Sequence, residues 1–201
     1  GRFPWRLQAN RPSGQGRRLQ ERWLQERRLV RPRHTAFVRQ VVLPAGPGKR
    51  PRIDVIHCRF RLAYRRSPIH RWGIFAAEPI PARRRVIEYT GERIGLAEAR
   101  RRSLRHQLYI FLAGKRTLID GAIGGSGAEF INHSCSPNLT ARLRSGRIWF
   151  VSLRPIEAGK ELLLDYQITG DDPLYPCNCG SANCRGFMNR PPLPAPDLVD
   201  E

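Results

Sequence analysis

From residue 53 onward the chain sets short apolar runs between turn residues, whereas before it apolar positions are scattered among arginine, glycine and proline. The runs at 74–77, 86–89, 108–112, 117–120, 139–143, 148–151 and 162–164 have the length and composition of short strands. Arg144-Ser145-Gly146-Arg147 joins two of them as a tight hairpin, with Gly146 supplying the positive φ that such a turn requires. Helical spacing is confined to 96–105 (LAEARRRSLR) and to 17–30, where Leu19, Trp23 and Val30 fall roughly on one face. A lone helix of about 14 residues is barely stable in water, so the second stripe packs locally or docks on a partner. The pattern therefore predicts a mostly β domain of many small strands with one short helix.

At 201 residues the chain accommodates one domain and a substantial extension. Residues 1–52 form an Arg/Pro/Gly-rich extension whose end, PAGPGKRP at 44–51, reads as a linker, and residues 191–201 (PPLPAPDLVDE) read as a disordered tail. Basic residues outnumber acidic ones 36 to 17, giving a net charge of +19, and the excess lies at the front. Residues 1–66 hold 18 basic and three acidic residues, and 67–201 hold 18 and 14. Only Lys49, Lys115 and Lys160 are lysines. The planar arginine fork suits phosphate, which makes nucleic acid a candidate partner of the extension, against a solvated tail shaped by coding bias. Arg100, Arg101 and Arg102 read as a solvated helix face. No apolar run reaches the ~18 residues of a membrane span, and the start lacks a secretory apolar stretch, so an intracellular protein is expected. The chain opens at Gly1, as a fragment of a longer protein would.

Of the five cysteines, Cys177, Cys179 and Cys184 lie within eight residues as CNCGSANC, where Gly180 lets the backbone turn between ligands. Such clustering suits tetrahedral zinc, which needs four thiolate or imidazole ligands. Cys135, in FINHSCSPN, is the leading candidate for the fourth, and His133 competes with it. The alternatives are a disulfide, disfavoured in a reducing compartment, or unrelated thiols. Cys58 is left over and reads as an ordinary buried small residue.

Five motifs follow one another in a familiar order: HRWGIFA at 70–76, EYTGE at 88–92, YIFL at 109–112, FINHSCSPN at 130–138 and ELLLDY at 161–166. Together with the terminal CNCG…CRG, they resemble the SET-domain protein lysine methyltransferases with a post-SET zinc segment, over residues 69–189. The resemblance implies a SET domain at 53–170 and a post-SET segment at 171–190. Its fold is small curved sheets around a pseudoknot, in which residues 132–135 thread beneath the loop leading to Tyr166. It implies transfer of a methyl group from S-adenosylmethionine to a lysine amine of a protein substrate, a histone or another nucleic-acid-associated protein, in a bacterial cytoplasm or a eukaryotic nucleus. Nothing calls for more than a monomer.

By the same resemblance Tyr166 orients the amine and faces the developing charge, and Tyr109 lines the same centre and touches the cofactor. The turn at His70, Arg71 and Trp72 wraps the methionine part, Asn132 and His133 bond the adenosine and amino-acid parts, and Cys135, Cys177, Cys179 and Cys184 hold zinc. An SN2 displacement needs a neutral amine in line with the methyl group, so positioning and desolvation carry the catalysis. Read alone, both tyrosines are core residues with satisfied hydroxyls, and Asp165 is a turn or pairing residue.

Three positions depart from the family pattern. Arg71 stands where glycine is usual and where positive φ is needed. Glu129 reverses a commonly basic position. Leu164 replaces the Phe or Tyr that helps to limit how many methyl groups are added, which leaves room for di- or trimethylation. The competing function is a non-catalytic SET-like zinc module acting through its basic extension.

Overall fold

The computed structural model describes residues 52–102, 109–168 and 174–190. The expected helix at 17–30, the linker at 44–51, the basic extension and the tail lie outside them. Ten strands are present among the described residues, in three sheets. β1 (Leu62–Arg66) and β2 (Trp72–Ala76) form an antiparallel pair. β3 (Arg85–Tyr89), β7 (Asn132–His133), β8 (Leu139–Arg144), β9 (Arg147–Ser152) and β10 (Leu163–Leu164) build a five-stranded sheet in the order β3-β9-β8-β10-β7. β4 (Glu92–Gly95), β5 (Ile110–Leu112) and β6 (Thr117–Asp120) form the third sheet, with β6 in the middle.

The expected strands are found, with 117–120 matching at both ends; residue 108 is not among those described. The 162–164 run contracts to two residues, and the Leu162 N–H instead donates to the Ile74 carbonyl at 2.7 Å. β1, β4 and β7 escape the hydrophobic pattern for different reasons. β1 ends in exposed arginines, β4 has a single buried position, and β7 is an Asn-His pair that is polar yet buried. The β8–β9 hairpin forms as read, but Ser145 as well as Gly146 takes positive φ (50° and 71°), so both central residues of the turn are left-handed.

The short helix α1 is described over Leu96–Arg102, and the expected limit at 105 falls among residues 103–108, which are not described. Its arginines are not uniformly solvated, which corrects that reading for Arg102. This residue is 7% exposed and grips Glu92 at 2.8 Å and Asp120 at 2.7 Å as well as Glu98 on its own helix, pinning α1 to β4 and β6. A buried guanidinium is tolerated only with such full pairing.

The main core gathers Ile74, Ile87, Leu139, Ile148, Leu162 and the ring cluster Tyr89–Phe111–Phe150, whose centroids lie 4.5 to 5.7 Å apart. It sits behind the β10–β7 pair and gives it a firm support. Following Ile168, residues 174–190 fold back along it: Ile168 bridges Asn189, and the Arg190 N–H donates to the Ile168 carbonyl at 2.8 Å. Among the described residues no helix is long and apolar enough to cross a membrane.

Candidate active site and cysteine cluster

β7 and β10 are parallel, with Asn132 beside Leu163 and His133 beside Leu164. Two segments about thirty residues apart in sequence are thereby made neighbours. Asn138 locks them by accepting from the Leu163 N–H at 2.8 Å and donating to the Glu161 carbonyl at 2.7 Å. The pair projects His133 and Tyr166 together: Nδ1 of His133 accepts the Tyr166 N–H at 3.2 Å, and the rings lie 5.2 Å apart. The Tyr166 hydroxyl donates to the Ile131 carbonyl at 2.9 Å. Burial, then the neighbouring Tyr109 and Glu161, push this phenol well above its ordinary range, so it stays protonated at any physiological pH.

Tyr166 is a wall common to two cavities. One, of about 100 Å³, is lined by Ile69, His70, Asn132, His133, Pro176, Cys177, Asn178 and Met188 besides Tyr166. The other holds about 10 Å³, room for roughly one water. Tyr109, Leu164, Phe111 and Glu129 are among its walls. The structure thus brings together His70, Asn132, His133 and Tyr166 around the first cavity, and Tyr109 and Tyr166 around the second. Trp72 takes part through its carbonyl, which accepts from Asn132 Nδ2 at 3.0 Å, while its ring packs against Tyr64 and beneath Arg66. Arg71 lines neither cavity.

Glu161 was not singled out as a site residue from sequence, yet it ties the centre together. Its carboxylate accepts from Asn132 Nδ2 at 2.8 Å and from Ser67 Oγ at 3.0 Å. Gly73 leaves the space for it, since a Cβ there would stand 2.1 Å from Glu161 Oε1. Asp165 is the pairing residue that its local sequence suggested. Burial alone would raise its carboxyl, but Arg185, the Gln167 N–H and His133 hold it below the ordinary range. Arg185 bonds both carboxylate oxygens, at 3.0 and 3.1 Å, and Arg190 adds two bonds at 3.1 Å.

The sulfur atoms of Cys135, Cys177, Cys179 and Cys184 all lie within 4.8 Å of one another. Zinc–thiolate bonds of about 2.3 Å set tetrahedral sulfurs about 3.8 Å apart, which is the Cys135–Cys177 separation of 3.8 Å. The donor set fits a structural zinc ion. Backbone N–H groups aim at its sulfurs, from Arg185 to Cys135 and from Gly186 to Cys184, each at 3.4 Å. The Cys135 and Cys177 thiols share a hydrogen bond that favours the Cys135 thiolate and, together with burial, disfavours that of Cys177, so without metal the charge sits on Cys135. Gly180, at φ 68°, turns the chain between ligands. The donor atoms that gather within 4.8 Å are those of the four cysteines; His133 is not among them, its Nδ1 accepting from the Tyr166 N–H and its Nε2 lying 3.5 Å from Cys135 Sγ. Cys58 lies apart, partly buried against the core, and burial followed by Asp54 pushes its thiol up to about 11.

Residues 71–167 match the family described as SET domain. Over 141 residues, 64% of this chain, it is 41% identical to a "Histone-lysine N-methyltransferase, H3 lysine-4 specific" of Eremothecium gossypii, and over 139 residues it is 40% identical to the Saccharomyces cerevisiae protein of that name. Over 196 residues, 91% of this chain, it is 34% identical to "Histone-lysine N-methyltransferase SETD1A" of Mus musculus. The chain belongs to the SET-domain family. It spans 11 to 14% of the length of these relatives.

As a SET domain it carries its three departures in definite places. Arg71 takes φ 37° despite its side chain, so the turn keeps a left-handed residue where the family commonly has glycine. Glu129 caps its own 3₁₀ turn, accepting the Gly127 N–H at 2.8 Å, and its charge raises the Tyr109 phenol, an effect second only to burial. Leu164 lies in the wall between the tyrosines. The cysteine cluster fits a post-SET zinc site.

Proposed function

We propose that this chain is the catalytic part of a lysine methyltransferase that transfers the methyl group of S-adenosylmethionine to a lysine amine of histone H3. The observation that carries the reading is Tyr166, a protonated buried phenol forming a wall common to a mixed polar–apolar cavity and a small aromatic one. The names of the relatives point to lysine 4 of H3 as the first target, and such a substrate sets the chain in the nucleus.

The larger cavity suits S-adenosylmethionine in its donor set. Asn132 and His133 offer polar contacts, the carbonyls of the 70–72 turn offer acceptors, and Ile69 and Met188 offer apolar surface. When bound, the cofactor supplies a methyl group on a sulfonium, a good leaving group. The chain's own residues do the rest by placement. The Tyr166 hydroxyl spends its proton on Ile131 and keeps its oxygen lone pairs for an amine N–H. It cannot act as a base, because burial keeps it protonated, so the proton of a substrate ammonium leaves to solvent before transfer. Aromatic walls from Tyr109 and Phe111 desolvate the amine, which favours its neutral, nucleophilic form. Zinc would be held by Cys135, Cys177, Cys179 and Cys184 and takes no part in the chemistry. It would cross-link the 174–190 segment, whose Pro176, Cys177 and Asn178 wall the larger cavity, to the Asn132–Cys135 segment.

The test is methyl transfer from isotope-labelled cofactor into histone H3 by zinc-replete protein, with Tyr166→Phe in parallel. Methyllysine made by the parent and reduced about a hundredfold or more in the variant is expected. No transfer, together with no cofactor-induced rise in melting temperature, would leave the non-catalytic SET module.

A further inference from the structure

The five-stranded sheet carries an arginine-lined face that the methyl-transfer reading does not use. In the β8–β9 register Arg142 stands opposite Trp149 and Arg144 opposite Arg147, so all four side chains share one side of the sheet. Glu88 of β3 faces Trp149 from the other flank. The guanidiniums of Arg59, Arg85 and Arg147 lie over the Trp149 ring, at 5.4, 5.1 and 5.5 Å from its centroid. Arg93 of β4 reaches the hairpin end, donating to the Gly146 carbonyl at 2.6 Å.

Cation–π contact holds three of these planar forks against one ring, and like charges so gathered repel one another. Glu88 is the acid set among them. It is already engaged by Arg147, whose Nε donates at 2.7 Å, with His57 Nδ1 at 3.5 Å. Among the described residues Arg59, Arg85, Arg142 and Arg144 have no ion-pair partner, and all four are exposed. The face therefore carries a standing excess of positive charge.

We propose that this face binds the sugar–phosphate backbone of a nucleic acid. Arg144 and Arg147 face each other on strands about 4.8 Å apart, and Arg142 and Arg144 follow each other along β8 at about 6.7 Å, a spacing of guanidinium donors that suits a repeating anion. Trp149 is 5% exposed and buried beneath its guanidiniums, so it offers no platform for base stacking. The contacts go to phosphate and binding is independent of sequence. A chromatin enzyme would gain from such a face a hold on DNA beside its protein substrate.

The test is binding of the full chain to a fluorescent duplex of about 20 base pairs, followed by anisotropy between about 50 and 200 mM salt. The double variant Arg142→Gln/Arg144→Gln is compared with Lys115→Gln/Arg116→Gln, which removes equal charge from elsewhere. Arg59→Gln/Arg85→Gln is a second probe of the face, and Arg142 and Arg144 do not stack on Trp149, so their loss spares that packing. Each double variant of the face is expected to weaken binding about tenfold and to lower the log–log salt slope by up to about 1.8, with the control near the parent. An equal effect of the control, an unchanged slope in both face variants, or competition by polyglutamate as strong as by unlabelled duplex would overturn the proposal. None of these readouts depends on methyl transfer.

Discussion

Asp165 and Arg185 form a two-point ion pair that joins the residue beside Tyr166 to the residue beside Cys184. The cysteine cluster and the tyrosine are therefore coupled twice, through the thiols and through this pair. Asp165→Asn weakens both bonds while keeping the side chain's shape. Because Asp165 is almost fully buried and Arg185 only partly, the loss is expected near the lower end of the buried-pair range, about 3 kcal/mol. A lower melting temperature and faster zinc release to a chelator would be seen, and unchanged values of both would contradict the coupling.

Gly73 and Glu161 make a second obligatory pairing. An alanine at position 73 displaces the Glu161 carboxylate from Asn132 and Ser67, at an expected cost of about 1 to 3 kcal/mol. In Gly73→Ala/Glu161→Ser the clash with the carboxylate is gone, leaving a tight approach to Asn132 Nδ2 at 3.1 Å. The double variant should lose less stability than the sum of the singles, measured by denaturant unfolding. Strict additivity would show that the two do not interact.

Leu164 shapes the small cavity between Tyr109 and Tyr166. If the proposed reaction holds, Leu164→Phe narrows the space around the amine and shifts product toward fewer methyl groups, read by mass spectrometry of an H3 peptide. The variant should also be destabilised by about 1 to 3 kcal/mol through overpacking. An unaltered product distribution would remove Leu164 from the determinants of methylation number.

His70, in the wall of the larger cavity, is held below its ordinary pKa by burial and then by the charge of Arg71. In the unfolded chain it titrates near 6.5, so below that pH the unfolded state binds more protons than the folded one. Its contribution is complete above about pH 6.5 and falls away as the pH drops toward the folded pKa. Thermal melts from pH 8 down to 5 should decline more steeply for the parent than for His70→Gln. Parallel curves would show that His70 does not contribute to the acid sensitivity.

The sequence by itself determined the texture of the fold and the chemical inventory. Short apolar runs mark β2, β3, β6, β8 and β9 because each buries side chains in the interior. The spacing of Cys177, Cys179 and Cys184 marks the metal cluster because local chain geometry already brings three thiols near one point. The order of the motifs marked Tyr166, Asn132 and His133. What depends on distant segments meeting was decided only by the tertiary structure. β7 is polar and finds its place by pairing with β10, Cys135 comes within 4.8 Å of three cysteines more than forty residues away, and Arg102 is buried because three acids converge on it. Glu161, the Asp165–Arg185 pair and the arginine array over Trp149 have no periodic signature, because each is assembled from residues whose neighbours in space are far apart in the chain.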